Sequence, residues 1–259
     1  MTYDFDTVIS RTGTASSKWD MLEELFGYPD VLPMWVADMD FSSPPEVVEA
    51  LKQRAEHGVF GYTFRPASYY DAIIDWQKRR HGWHIPREWI VGVPGVVTAM
   101  SLLIEMLTEP QDRIMIQVPV YHPFYQIISQ NGRAIVRSPL KLASERYEMD
   151  FTEMERQIQA ERVKMLLLCN PHNPVGRVWT REELTALGQL CLKHGVTVIS
   201  DEIHGDIVFS GHRHIPFASL ADEFAAIAVT CAAPSKTFNI AGLHSAFVII
   251  ANPQWRDKL

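Results

Sequence analysis

The apolar residues of this chain follow two rhythms. From Ile90 to Ala251 they come in seven short, nearly unbroken runs: IVGVPG, RIMIQVP, AIVRSPL, KMLLLCN, VTVISDE, AIAVTCA and SAFVIIA. Runs that are apolar throughout, rather than alternating with polar residues, are the mark of strands covered on both faces. Between the runs, apolar residues recur at the three- and four-residue spacing of amphipathic helices. In VVTAMSLLIEMLTE, Val96, Val97, Met100, Leu103, Ile104 and Leu107 share one face, and the helix they predict starts at Gly95. TREELTALGQLCLKHG has Thr180 and Glu183 at capping-box spacing and Gly195 as a stop. DFTEMERQI offers the same box at Thr152 and Glu155. Upstream, SSPPEVVEALKQRAEHG predicts a helix capped by Ser43, opened by Pro44 and Pro45, ended by Gly58, and apolar along Val47, Val48 and Leu51. Strands in alternation with helices predict an α/β fold. The expected form is a three-layer α/β/α sandwich around a mostly parallel, about seven-stranded sheet.

Composition removes several classes of function. With 47% apolar and 21% charged residues, and no low-complexity tract, the 259 residues suit a globular protein. A net charge of -7 with scattered Lys and Arg argues against nucleic acid, which calls for clustered positive charge. The N-terminal MTYDFDTVISR has acids where a secretory signal has a basic region, and no apolar stretch reaches spanning length, so a cytoplasmic location away from membranes is expected. Cys169, Cys191 and Cys231 lie in apolar patterns without C-x-x-C spacing and read as buried reduced thiols. The histidine pairs His81/His84 and His212/His214 bring no third ligand at a recognisable spacing, so no metal is expected.

Polar residues gather where the runs end. IVGVPG ends in Gly95, RIMIQVP in VYHPF, KMLLLCN in NPHNPVG, VTVIS in DEIH, and AIAVTCAAP in SKT. In open α/β sheets the carboxyl ends of the strands form the ligand crevice. Gly95, Val96 and Val97 open a helix whose amides and positive end can receive a phosphate, although taken alone they read first as an ordinary glycine turn. Asp201 ends a strand that reads as buried, and is either a structural ion-pair member or the holder of a positive charge. Lys236 is either a surface charge or, with its pKa lowered, a nucleophile able to form a Schiff base. An anion cradle, a buried carboxylate and such a lysine together match the phosphate, pyridinium nitrogen and aldehyde of pyridoxal phosphate.

The stretches MWVADMDF, HGVFGYT, PVYHPF, CNPHNPVGRVW, ISDEIH and APSKTFNIAGL resemble the fold-type I pyridoxal-phosphate enzymes of the class I/II aminotransferase superfamily, and within it the carbon–sulfur β-lyases of the cystathionine β-lyase group. The resemblance implies that Lys236 holds pyridoxal 5'-phosphate as a Schiff base and then acts as the base at the substrate Cα. It implies that Asp201 pairs with the pyridinium nitrogen, that Asn173 and His204 bond the ring oxygen, and that Tyr121 stacks on the ring. Gly95, Val96, Val97 and Ser235 would hold the cofactor with them, and Tyr62 would reach the phosphate of a second copy, making a homodimer. His244 stands where many aminotransferases have a phosphate-holding arginine, which leans toward a lyase acting on an amino-acid substrate. Ala233 lacks the hydroxyl often found three residues before the lysine. The resemblance also implies a large domain over residues 46–259, a small domain to which residues 1–45 partly belong, and further chain beyond Leu259 carrying most of that small domain and its carboxylate-binding arginine. An aminotransferase and a non-catalytic or regulatory fragment are the alternatives.

Overall fold

The structure is a computed structural model and describes residues 3–259. Its contacts separate two units: the chain up to Phe64 together with Pro234–His244, and Arg65–Ala233 together with Ser245–Leu259.

The first unit has little apolar interior. Its helices are α1 (Ser17–Asp20), α2 (Leu22–Phe26) and α3 (Pro45–His57). Leu22 is its buried hydrophobic residue, while α3 buries none of its side chains. The apolar face expected along α3 therefore exists but is uncovered, with Val48 and Leu51 exposed. Gly58 ends the helix in the left-handed conformation, as the sequence predicts. Ser43 does not cap it: Pro44 occupies that position, and the Ser43 hydroxyl instead donates to the Asn239 carbonyl at 2.8 Å. Polar bonds tie the unit together. Lys18 is buried, and its Nζ donates to an Asp40 carboxylate oxygen at 2.7 Å and to the Asp38 carbonyl at 3.1 Å. The Trp19 indole and Arg11 both donate to the other Asp40 oxygen at 2.9 Å.

The second unit opens with α4 (Ala67–Trp76), which widens into a π-helical turn over Gln77–His81 and stops at Gly82. There follow β1 (Ile90–Val93), α5 (Val96–Leu107), β2 (Arg113–Val118), α6 (Pro123–Gln130) and β3 (Ala134–Pro139). A small hairpin, β4 (Lys141–Ala143) with β5 (Arg146–Glu148), leads to α7 (Phe151–Glu161), β6 (Met165–Cys169), α8 (Arg181–His194) and β7 (Thr197–Asp201). The last elements are α9 (Asp222–Ala226), β8 (Ala228–Ala232), β9 (Ala246–Ile250) and α10 (Pro253–Arg256). The seven strands expected from the sequence form one sheet in the order β1-β9-β8-β7-β6-β2-β3. Only β9 runs against its neighbours.

The unbroken apolar runs have the cause the sequence suggests. Along β6, Met165, Leu167 and Cys169 face one core while Leu166 and Leu168 face the other. One core is completed by α5 and α6 through Met100, Leu103, Phe124 and Ile128. The other is completed by α7, α8 and α9 through Met154, Ile158, Leu184, Leu187 and Phe224. The sheet is thus the middle layer of three, and each buried leucine side chain contributes about 1.5–3 kcal/mol of hydrophobic stabilisation. The capping box of α8 is present, with Thr180 accepting from the Glu183 amide at 3.2 Å and the Glu183 carboxylate accepting from the Thr180 amide at 2.7 Å. The box expected at Thr152 is not formed. Asp150 caps α7 instead, accepting from the Glu153 amide at 3.3 Å, because the helix begins two residues earlier than that spacing suggests. No helix among the described residues is long and apolar enough to cross a membrane.

Candidate functional site

The carboxyl ends of β2, β6 and β7, three neighbours in the sheet, carry Tyr121, Asn173 and Asp201 within a few residues. Backbone bonds extend the sheet into these loops. The Asn170 amide donates to the Asp201 carbonyl at 2.9 Å, the Tyr121 amide to the Asn173 carbonyl at 3.0 Å, and the Glu202 amide to the Cys231 carbonyl at 2.9 Å. Three side chains expected to act together are therefore fixed by one ladder.

Asp201 is 5% exposed, and one carboxylate oxygen accepts from the Ile203 amide at 3.2 Å. Its charge is felt by its neighbours. Burial, followed by the negative charge of Asp201 and then Cys169, pushes the half-buried Tyr121 hydroxyl above its usual pKa. The Cys169 and Cys231 thiols are likewise raised, first by burial and then by Asp201. A place that resists further negative charge favours a cation or a protonated nitrogen. All three cysteines are free and buried, and burial pushes Cys191 up to about 12.

The turn after β1 places Gly95 at the start of α5, where no side chain caps the helix. A Cβ added to Gly95 would meet nothing closer than the Thr98 hydroxyl at 3.8 Å, so the approach to the first-turn amides is open. Val96 is buried and Val97 exposed. His204 lies, partly exposed, on the turn that follows β7. These expected residues all belong to the second unit.

Ser235, Lys236 and Tyr62 belong to the first unit. Ser235 and Lys236 are partly buried in a turn closed by bonds from the Phe238 amide to the Pro234 carbonyl, 2.9 Å, and from the Ile240 amide to the Ser235 carbonyl, 3.0 Å. Tyr62 is fully exposed. One residue here was not anticipated from the sequence. Asn239, at φ 54°, accepts from the Met39 amide at 3.0 Å and donates to the Met39 and Phe41 carbonyls at 3.0 and 2.7 Å. Asparagine tolerates the left-handed region and bonds readily to backbone, which is the signal its place in the turn after Lys236 carried. A cavity of about 380 Å³ in this unit is lined by Arg11, Asp38, Asp40, Phe41 and Asn239. Among the described residues no cluster of three or more His, Cys, Asp or Glu is arranged to hold a metal.

A three-layer α/β sandwich with a buried carboxylate at the end of a central strand and a lysine turn directly after the next defines a recognisable class. The family described as aminotransferase class I and II matches residues 29–259, and the chain belongs to that family. Cystathionine beta-lyase PatB of Bacillus subtilis (strain 168) is 52% identical over 255 residues, covering 98% of this chain and 66% of that protein. Protein MalY of Escherichia coli (strain K12) is 38% identical, covering 98% of this chain and 65% of its own length. Among solved structures, cystalysin of Treponema denticola, which contains a pyridoxal 5'-phosphate cofactor, matches with a TM-score of 0.95 and 40% identity, covering 100% of this chain and 66% of that one. The pyridoxal-phosphate-bound C-S lyase of Staphylococcus hominis matches with a TM-score of 0.93 and 36% identity, covering 99% and 65%. The chain thus spans about two thirds of the length of these relatives.

Proposed function

We propose that this chain carries the cofactor-binding domain, residues 46–259, of a pyridoxal-phosphate-dependent carbon–sulfur β-lyase, with residues 1–45 contributing to a small domain. The substrate class is cystathionine and related cysteine S-conjugates, and the products are a thiol, pyruvate and ammonia. The observation that carries the reading is Asp201: a carboxylate 5% exposed, at the end of a central strand, whose charge is felt by Tyr121. Burying such a carboxylate is costly unless a cation or a hydrogen-bond donor meets it, and a pyridinium nitrogen is both.

The residues present fit pyridoxal phosphate. Gly95 leaves the first turn of α5 uncovered for a phosphate, Asp201 supplies the charge for the ring nitrogen, Tyr121 an aromatic face, and Asn173 and His204 partners for the ring oxygen. Ser235 and Lys236 complete the set, with the Lys236 amine as the group that joins the aldehyde. When bound, this cofactor supplies an electron sink for the carbanion formed at the substrate Cα. Asp201 would pair with the ring nitrogen. Lys236 Nζ takes the α-proton, the Cβ–S bond breaks with its electron pair leaving on sulfur, and the thiolate takes up a proton. Hydrolysis of the remaining three-carbon fragment gives pyruvate and ammonia.

The full exposure of Tyr62 suits a side chain directed to a second copy, and the reading includes a cytoplasmic homodimer. The test is incubation of the chain with cystathionine and pyridoxal phosphate but no keto acid. Pyruvate should accumulate in proportion to chain concentration. Product only when a keto acid is added would replace the lyase reading with an aminotransferase.

A further inference from the structure

The turn that carries His204 is gripped at each end by a histidine, buried His214 and partly buried His81, and the two rings touch. At its start, Glu202 is 6% exposed and accepts from the Ser200 hydroxyl at 2.8 Å, the Phe217 amide at 2.9 Å and His214 Nε2 at 3.0 Å. At its end, Asp206 lies 3.0 Å from His81 Nε2 and accepts from the Trp76 indole at 3.0 Å, while the Arg80 guanidinium donates to its carbonyl at 3.3 Å. The His81 and His214 rings meet edge to face, with centroids 5.1 Å apart. The middle of the turn is packed as well. A Cβ on Gly205 would lie 2.8 Å from His214 Cδ2 and 3.1 Å from the Glu202 carbonyl oxygen, so the imidazole rests on bare backbone. The Gly205 amide closes the turn on the Glu202 carbonyl at 2.9 Å.

We infer that Glu202, His214 and His81 are positioning residues: a buried clamp that fixes the 202–206 turn and, through it, the orientation of Asp201 and His204 toward the cofactor. This rests on the pyridoxal-phosphate reading. A core that needed only to be filled would place apolar side chains here. A carboxylate instead accepts bonds from three donors, Ser200 on the preceding strand and His214 and Phe217 on the 214–217 loop, and satisfied networks of this kind specify one geometry. The residue order explains the target. Glu202 follows Asp201 directly, and the Ile203 amide that bonds Asp201 is the first of the turn.

The test uses the full chain and three variants: His214→Leu, which removes the donor to Glu202; His214→Gln, which can restore one; and Gly205→Ala, which pushes on the ring from the turn side. Two readouts are taken, amide hydrogen exchange of Gly205 and Ile207 without cofactor, and affinity and visible spectrum with pyridoxal phosphate. Losing a bond to a charged group predicts about ten-fold faster exchange and about ten-fold weaker cofactor binding with a shifted band in His214→Leu and Gly205→Ala, and near-recovery in His214→Gln. Should His214→Leu not fold, Gly205→Ala decides. Folded variants with unchanged exchange, or with unchanged affinity and spectrum, overturn the clamp while leaving the cofactor reading intact. An unmodified chain that takes up no pyridoxal phosphate overturns the cofactor reading and, with it, this inference.

Discussion

The two units of this chain hold themselves together by different means. Around the sheet, stability comes from apolar burial on both faces: Ile114, Leu167, Ile199 and Val248 are fully buried. In the unit of the first 64 residues and Pro234–His244, large apolar side chains such as Met34, Trp35, Phe60, Tyr62 and Phe64 are exposed, and order rests on Asp40, Lys18, Arg11 and the side chain of Asn239. The difference assigns separate tasks. The sheet unit holds the strand-end residues to a fixed geometry, whereas the lysine turn is set by a few polar bonds.

Substitutions matched across the units should bring out that contrast. Leu167→Ala empties a site between sheet and helices and should cost about 2–5 kcal/mol, read as a lower urea midpoint. Leu51→Ala, on the uncovered face of α3, should change stability by less than about 0.5 kcal/mol. Equal effects would mean that α3 is packed in solution and that the contrast is wrong.

A smaller and more local effect is expected in the lysine turn. Asn239→Ala removes one acceptor and two donor bonds to Met39 and Phe41, and should free the Met39 amide to exchange about ten-fold or more faster while the urea midpoint of the sheet unit barely moves. A midpoint loss as large as that of Leu167→Ala would show that the turn and the sheet unfold as one.

The least of these effects concerns acid. Burial raises the Asp40 carboxyl pKa, but bonds from Lys18, Trp19 and Arg11 outweigh it and hold the value at about 2. Because the folded value lies below the ordinary 3.8, the contribution is complete above pH about 4 and is lost as the pH falls toward 2. Asp40→Asn should therefore flatten the acid limb of protection at Met39. An unchanged limb would assign the acid sensitivity to other carboxylates.

How much of this could be seen in the sequence follows from the same contrast. Strands buried on both faces leave unbroken apolar runs, and all seven strands of the main sheet coincide with such runs. Thr180, Glu183 and Gly195 were legible because caps act over three or four residues. The β4–β5 hairpin was not, since its short strands are largely exposed and carry charged residues. Helix α4 was hidden by Tyr69, Tyr70, Ile73 and Ile74, poor intrinsic helix formers that are held by packing on the core. At the site, Asp201 and Lys236 stood out because a charge beside an apolar run needs a reason. Asn239 and the Glu202–His214 pair did not, because their partners lie 200 and 12 residues away in sequence.

The decisive experiment is the visible spectrum of the mass-verified chain with pyridoxal phosphate, before and after borohydride reduction, with the reduced label mapped by peptide. A yellow band that disappears on reduction, with the label on Lys236 alone, is the result expected if this chain binds the cofactor through that lysine. No band, or a label spread over surface lysines, would contradict it.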